Sequence, residues 1–292
     1  MRYAGGTRIN RLIDGSDSTN LVANLSQALQ DAGWSVASGS GTDVTLLSAA
    51  TPDGLQMRQR LHISGVNWVI PVPANAAGTL SSPDLKFGMF ARAASAQWRV
   101  IATRYQAFAF VPGSTANYDF LAFGVPWLPA RLSGVITECA WCAQMGRDQS
   151  GDFSGGNRGF RNSLSYASDG QNGSTWCMVN GTAFNPDFWY GIGNLRLIFP
   201  HSTGIMSSWV HDQVVWHDGS AIVADPLISF GTSQAAQHAI RGGMWDAFVS
   251  GDFGPADAVT TAPDGTKFMR ITDNNSGSTV SAPRGSLWVA IP

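Results

Sequence analysis

The chain has 292 residues, a formal net charge of −2 and 44% hydrophobic residues, which is enough to bury a core in about two or three domains. Lys and Arg form no cluster, which excludes the positively charged face that a nucleic-acid-binding protein needs. The longest apolar stretches, such as 105–112, are far shorter than the about 20 residues of a membrane helix, so no membrane span is expected.

Glutamate and lysine are almost absent from the chain. Glu138 is its only glutamate, and Lys86 and Lys267 are its only lysines. Because exposed helix faces are normally built from Glu and Lys, their scarcity favours strands, turns and loops. Short apolar runs are separated by Gly, Ser, Thr, Asn and Asp, and eleven Trp and fifteen Phe are available for sheet cores. We therefore predict a mainly β protein, with a small α/β N-terminal module followed by antiparallel β-sandwich-like domains.

Residues 1–65 are predicted to form the α/β module, of a size suited to docking. Apolar residues from Leu21 to Ala32 recur with the period of a helix, Asp17 or Ser18 supplies its N-cap, and Gly33 ends it. This helix is expected to cover a few-stranded antiparallel sheet. The predicted strands of the module are 7–13, 34–37, 42–48 and 55–63.

Residues 66–243 are predicted to form a β-rich, sandwich-like body. It begins with a proline-containing connector at 66–77, and the strongest hairpin signal joins 97–102 to 105–111. A long polar loop is predicted at 144–173 and a short helix at 233–240. The other predicted strands are 87–93, 118–124, 132–141, 176–180, 195–200, 209–217 and 221–224.

Residues 244–292 are predicted to form a C-terminal β segment, either separate or part of the same body. Its predicted strands are 247–249, 266–271 and 286–291. Thr51-Pro-Asp-Gly and Ala262-Pro-Asp-Gly share turn chemistry, because Pro presets φ and Gly accepts a positive φ. We predict a tight turn at each.

The three cysteines leave three alternatives open. Cys139 and Cys142 have the C-x-x-C spacing of zinc sites and redox dithiols, and Cys177 is a third candidate ligand. On a regular strand this spacing places 139 and 142 on opposite faces unless the backbone bulges. The sequence has no fourth cysteine. We expect the three cysteines to be buried and to act as small hydrophobic side chains. Zinc binding and a disulfide or redox role are the alternatives, and no cofactor is predicted.

Histidines and carboxylates give no catalytic constellation. His201, His211 and His217 are the only concentration of histidines, but the last two would lie about 20 Å apart on a straight strand, too far for one ion. Glu138 has no identifiable carboxylate partner, whereas a glycosidase needs a pair. Many aspartates adjoin Gly, Pro or Asn, where turns explain them. No catalytic residue is predicted, and the chain is not expected to be an enzyme.

Trp189 and Tyr190 are the candidate ligand platform. They follow Asn185-Pro-Asp in a predicted loop. An exposed Trp face stacks well on a sugar ring, so a glycan is the ligand class that this pair would suit.

Two aromatic segments in the body carry a family resemblance. They are Trp98-Arg-Val-Ile-Ala-Thr-Arg-Tyr-Gln-Ala-Phe-Ala-Phe-Val-Pro-Gly and Phe123-Gly-Val-Pro-Trp-Leu-Pro. With the helix-bearing N-terminal module before them, they resemble virion structural proteins of tailed bacteriophages, in particular tail or baseplate components, over about residues 1–200.

The resemblance implies an oligomeric, non-enzymatic protein of the virion tail that contacts other tail proteins in assembly or host attachment. The N-terminus has no apolar segment of a signal peptide, so we expect synthesis in the host cytoplasm. Two alternatives remain: a receptor- or glycan-binding tail protein, and a cell-wall or capsule glycosidase.

Overall fold

The structure is a computed structural model, and it describes residues 2–63, 68–74, 89–90, 97–112, 120–128, 139–145, 175–179, 182–184, 194–198, 223–224, 227–231, 240–250, 257–271 and 286–292. Among these residues α1 is the only helix, and the rest of the regular structure is strand, so the mainly β prediction is confirmed. The elements in chain order are β1 (Ile9–Asp14), α1 (Ser18–Asp31), β2 (Ser35–Ser40), β3 (Asp43–Leu47), β4 (Arg58–Ile63), β5 (Trp68–Ala74), β6 (Met89–Phe90), β7 (Gln97–Ala102), β8 (Gln106–Phe110), β9 (Phe120–Gly124), β10 (Cys139–Met145), β11 (Thr175–Val179), β12 (Thr182–Phe184), β13 (Asn194–Ile198), β14 (Val223–Ala224), β15 (Leu227–Gly231), β16 (Ile240–Gly243), β17 (Ala247–Ser250), β18 (Val259–Thr261), β19 (Lys267–Arg270) and β20 (Ser286–Ile291).

Within the described residues the strands form four antiparallel sheets. A five-stranded sheet has the order β2-β3-β4-β5-β6, and a seven-stranded sheet has the order β1-β7-β8-β9-β10-β11-β12. A three-stranded sheet has the order β13-β15-β16, and the C-terminal five-stranded sheet has the order β14-β17-β20-β19-β18.

Helix α1 forms where its apolar period predicted it. Leu21, Val22, Leu25 and Leu29 on one face are completely buried, and the helix packs against β1 and β4. The Asp17 carboxylate accepts a 2.7 Å hydrogen bond from the Asn20 backbone N–H and so caps the first turn. These local signals confirm the helix.

Strand β1 has a different partner from the one expected. It does not join the sheet of β2–β6 that follows it in sequence, but pairs with β7, with Ile9 opposite Ala102 and Asp14 opposite Gln97. An alternation of apolar and polar residues predicts that a strand forms. It does not predict the partner, because the partner is the sheet edge that lies beside the strand once the helix has packed.

The connector predicted at 66–77 is wrong for residues 68–74, which form β5. This strand pairs with β4 along its length, from Ile63 opposite Val69 to Arg58 opposite Ala74. Its two prolines, at 71 and 73, lie past the short pairing with β6. Among the described residues no strand pairs with β5 at these prolines on the β6 side, and proline is tolerated where no ladder hydrogen bond is lost.

The hairpin predicted around residue 104 is confirmed as β7 and β8. Arg99 lies opposite Phe110 and Ala102 opposite Ala107. The turn closes with a 2.8 Å hydrogen bond from Thr103 N to Gln106 O. The strands contribute completely buried side chains to the core, including Trp98 and Phe108.

Both Pro-Asp-Gly turns form as predicted. Gly54 N donates to Thr51 O at 2.8 Å, and Gly265 N donates to Ala262 O at 2.9 Å. Both glycines have positive φ, +82° and +86° respectively, which glycine adopts without strain. The second turn joins β18 to β19, and β20 occupies the predicted range 286–291 beside β19.

Elsewhere the described strands agree with the predictions in part. Strands β6, β9, β10, β11, β13, β14, β17 and β19 overlap predicted strands, whereas β12, β15, β16 and β18 were not predicted. The polar loop beyond residue 145, the strand 209–217 and residues 233–239 of the predicted helix lie outside the described residues. Ile240, the last residue of that predicted helix, begins strand β16 instead, and residues 144 and 145 of the predicted loop end strand β10. The domain limits at 65 and 243 stay predictions.

Candidate functional site

Asp246, just before β17, makes hydrogen bonds to Arg2, Ala4, Arg8 and Ala290, all distant in sequence. Around it, the first residues of the chain meet the turn before β8 and the segment that enters the C-terminal sheet. We call this region the N-terminal junction, and define it as residues 2–8, 105–106, 127 and 243–246.

Asp246 binds two distant parts of the chain, the first residues and β20, through its backbone and its carboxyl group. Its N–H donates to Arg2 O at 2.7 Å, and its carbonyl accepts from Ala290 N at 2.7 Å. Its Oδ1 accepts from Ala4 N at 2.9 Å. The N-terminal segment is therefore fastened to the C-terminal sheet by hydrogen bonds that converge on one residue.

The Asp246 side chain is completely buried, and its backbone has a φ of +51°. Aspartate tolerates this left-handed region better than most residues. Arg8 Nη2 donates to Oδ1 at 3.1 Å, while Oδ2 and Arg8 Nε are buried and take part in no hydrogen bond within the described structure. Burial raises the pKa of the Asp246 carboxyl, although the Ala4 hydrogen bond and the Arg8 charge act to lower it.

Aromatic side chains enclose Ala4 at this junction. The Tyr105 and Trp245 ring centroids are 5.0 Å apart, and Ala4 packs with both. The Arg2 guanidinium lies 4.5 Å from the centroid of the Trp127 ring. A Cβ on Gly243 would lie 2.4 Å from Trp127 Cε2, so glycine is needed for this close approach.

The buried Gln106 side chain ties β8 to the same segment. Its Nε2 donates to Trp245 O, and its Oε1 accepts from Trp245 N at 3.2 Å. The amide thus satisfies both polar groups of a backbone unit from a distant part of the chain. Gln106 lies in the aromatic segment 98–113 and in the predicted strand 105–111, but no role was predicted for its amide, and Asp246 lies in no motif.

A second polar cluster lies on β3 and β4. Arg60 makes a two-pronged contact with Asp43, Nε to Oδ1 at 2.7 Å and Nη2 to Oδ2 at 2.6 Å. This hydrogen bond lowers the pKa of Asp43, and burial lowers the pKa of neighbouring His62. The Arg60 charge is already engaged, so the cluster is a structural ion pair.

Two edge strands are exposed along their whole length. Strand β2 is outermost in its five-stranded sheet and β18 is outermost in the C-terminal sheet, and every residue of both is exposed. Val36 on β2 is 47% exposed and Val259 on β18 is 52% exposed. Neither strand contains a charged residue. The outer backbone groups of such an edge can pair with a strand of another chain.

The candidate metal ligands lie on adjacent strands. Cys139 and Cys142 are in β10 and Cys177 is in β11, where Trp141 is its register partner. This pairing has no register shift, so positions 139 and 142 fall on opposite faces of the sheet. No group of three or more His, Cys, Asp or Glu that could hold a metal ion occurs among the described residues. Zinc binding stays a prediction.

The other candidates from sequence lie outside the described residues. They are the ligand platform Trp189 and Tyr190, the histidines His201, His211 and His217, and Glu138. Their roles stay predictions.

No protein-family model matches the chain, and no curated protein matches it significantly. In the part of the chain that the structure describes, no helix is long and apolar enough to cross a membrane.

Proposed function

We propose that this chain is a structural protein of a bacteriophage tail or baseplate, and that it acts through protein–protein interfaces in virion assembly or host attachment. Its β-sheets pack as sandwiches, and its partners are other tail proteins and further copies of itself. It is made in the host cytoplasm and works in the virion, with no role for nucleic acid.

The exposed, uncharged edge strands are the observation that carries the proposal. Monomeric β proteins commonly protect their edges with Lys, Pro or inward-pointing charges. Strand β2, which reads Ser-Val-Ala-Ser-Gly-Ser, contains none of these, and its one irregularity is a register shift between Val36 and Ser38 in its pairing with β3. A strand from a neighbouring chain would pair with its backbone and cover Val36, and β18 offers the same chemistry around Val259. The family resemblance of segments 98–113 and 123–129 supports a tail as the setting.

Light scattering of the purified chain over a range of concentrations tests the proposal. We expect the wild-type chain to form a defined oligomer. V36K or V259K should shift it towards the monomer, because a lysine on the edge strand must lose its water when another strand pairs there. A23K is the matched control, since it adds the same charge to an exposed position of α1. Cryo-electron microscopy of the particle should then find the chain at a fixed copy number.

A monomer at every concentration, absent from any particle, would overturn the proposal. Binding to host glycans without turnover would then favour a receptor-binding protein. Release of sugar products, lost on substitution of an aspartate, would favour a glycosidase.

A further inference from the structure

We propose that Asp246 is a proton-operated latch: its neutral carboxyl holds residues 2–8 in the N-terminal junction, and its ionised carboxylate loosens them. The latch is independent of what the chain assembles with, because every contact that forms it lies within one chain.

The hydrogen bonds at Asp246 are divided unevenly between its two carboxyl oxygens. Oδ1 accepts from both Ala4 N and Arg8 Nη2, while no described group donates to Oδ2. This division suits a protonated acid, in which Oδ1 is the carbonyl acceptor and Oδ2 is the hydroxyl, which has no acceptor among the described residues. An ionised carboxylate would keep half of its charge buried without a donor, which costs more than burying a neutral hydroxyl.

Arg8 is the one charged group that contacts the carboxyl among the described residues. Its side chain is 20% exposed, so part of its charge is shared with water. The other charged groups around the junction face elsewhere: Arg2 lies over Trp127, Arg104 lies over Tyr105, and Asp264 accepts from the Tyr3 hydroxyl. From β8 the neutral Gln106 amide binds the backbone of the adjacent Trp245, and from β20 the Ala290 N–H donates to the Asp246 backbone carbonyl.

A hinge next to the latch allows the N-terminal segment to move. Gly5 and Gly6 follow Ala4 and have φ values of +65° and +74°. A methyl group added to Gly5 would meet no atom within 4 Å, so the backbone there is not packed in place. A Cβ on Gly6 would lie 3.0 Å from Arg104 Cδ, so the open position is Gly5, where rotation can lift residues 2–4 without disturbing β1.

The direction of the pH effect follows from proton linkage. When the latch is closed, burial raises the pKa of Asp246, and when it is open the carboxyl is in water with its ordinary pKa. The closed state therefore binds the proton more tightly. Closure is favoured at acid pH, and this advantage is lost as the pH rises through the raised pKa.

Hydrogen–deuterium exchange of the segment 2–8 tests the latch, with rates corrected for the intrinsic pH dependence of exchange. From about pH 4 to about pH 8, the span in which buried carboxyls titrate, protection should fall by up to about tenfold per pH unit. D246N should remove the slope, because its amide keeps a neutral acceptor at Oδ1 and suits the same positive φ. R8Q should move the fall in protection to higher pH, because the Arg8 charge lowers the pKa of the closed-state carboxyl and its removal lets burial raise that pKa further. An unmoved fall in R8Q would show that Arg8 does not act on the carboxyl.

D264N is the matched control, because Asp264 also contacts the N-terminal segment but is fully exposed and has a lowered pKa. The D264N chain should keep the wild-type dependence of protection on pH. Protection that does not change with pH in the wild-type chain would overturn the latch. The same slope in D246N, or a D246N chain that circular dichroism shows to be unfolded, would overturn it too, because the proposal requires the neutral side chain to fit.

Discussion

Glycine is required at position 15 by a close contact and not by its backbone conformation. A Cβ at this position would lie 2.3 Å from Trp98 Cδ1, and Trp98 is completely buried, so the indole cannot move aside. Between β1 and α1 the chain therefore needs a residue without a side chain where it passes over the ring. A glycine between Asp14 and Ser16 predicts a turn from sequence, but not this packing.

We predict that G15A lowers the free energy of unfolding by about 1–3 kcal/mol, because the added methyl overpacks the core. Urea denaturation of G15A, W98F and the double variant measures the effect. In the double variant the smaller ring should absorb part of the strain, so the two losses should be less than additive. Strictly additive losses would show that the methyl does not meet Trp98.

At the scale of elements, local signals predicted formation, and distant packing chose the partners. Helix α1 follows from its apolar period and its cap, and the β7–β8 hairpin follows from aromatic and β-branched runs around a short turn. The pairing of β1 with β7 joins strands far apart in sequence, and the proline-containing β5 pairs where a connector was expected. No local pattern encodes either choice.

The Asp17 cap provides a prediction at this scale. D17A should lower the free energy of unfolding by about 1 kcal/mol, because the Asn20 N–H loses its acceptor at the start of α1. D17N is the matched control, since asparagine also accepts this hydrogen bond and should retain most of the stability. Thermal unfolding followed by circular dichroism measures both. Equal losses in D17A and D17N would contradict a capping role.

At the scale of the whole molecule, the N-terminal junction holds together parts of the chain that lie more than a hundred residues apart. Gln106 binds the Trp245 backbone across a separation of 139 residues, and Asp246 binds Ala4 across 242. Trp127 adds a backbone pairing with Gly243. These contacts unite the seven-stranded sheet, the chain's first residues and the C-terminal sheet.

We predict that Q106L lowers the free energy of unfolding by more than about 2 kcal/mol, because it leaves the buried N–H and C=O of Trp245 without partners. Q56L is the matched control. Gln56 makes a local, partly buried hydrogen bond to Ser48 O, so its loss should cost less than about 1.5 kcal/mol. Denaturant unfolding followed by tryptophan fluorescence compares the two. Similar losses in both variants would mean that the junction contributes no more than a local contact.

The sequence by itself determined the mainly β class, helix α1 with its cap, the β7–β8 hairpin and the two Pro-Asp-Gly turns. Each of these depends on residues close together in the chain, where period, φ preference and side-chain capping act directly. Only the tertiary structure decided the partner of β1, the strand at 68–74 and the convergence on Asp246. Those features depend on burial and on hydrogen bonds between distant segments, which exist only once the chain has folded.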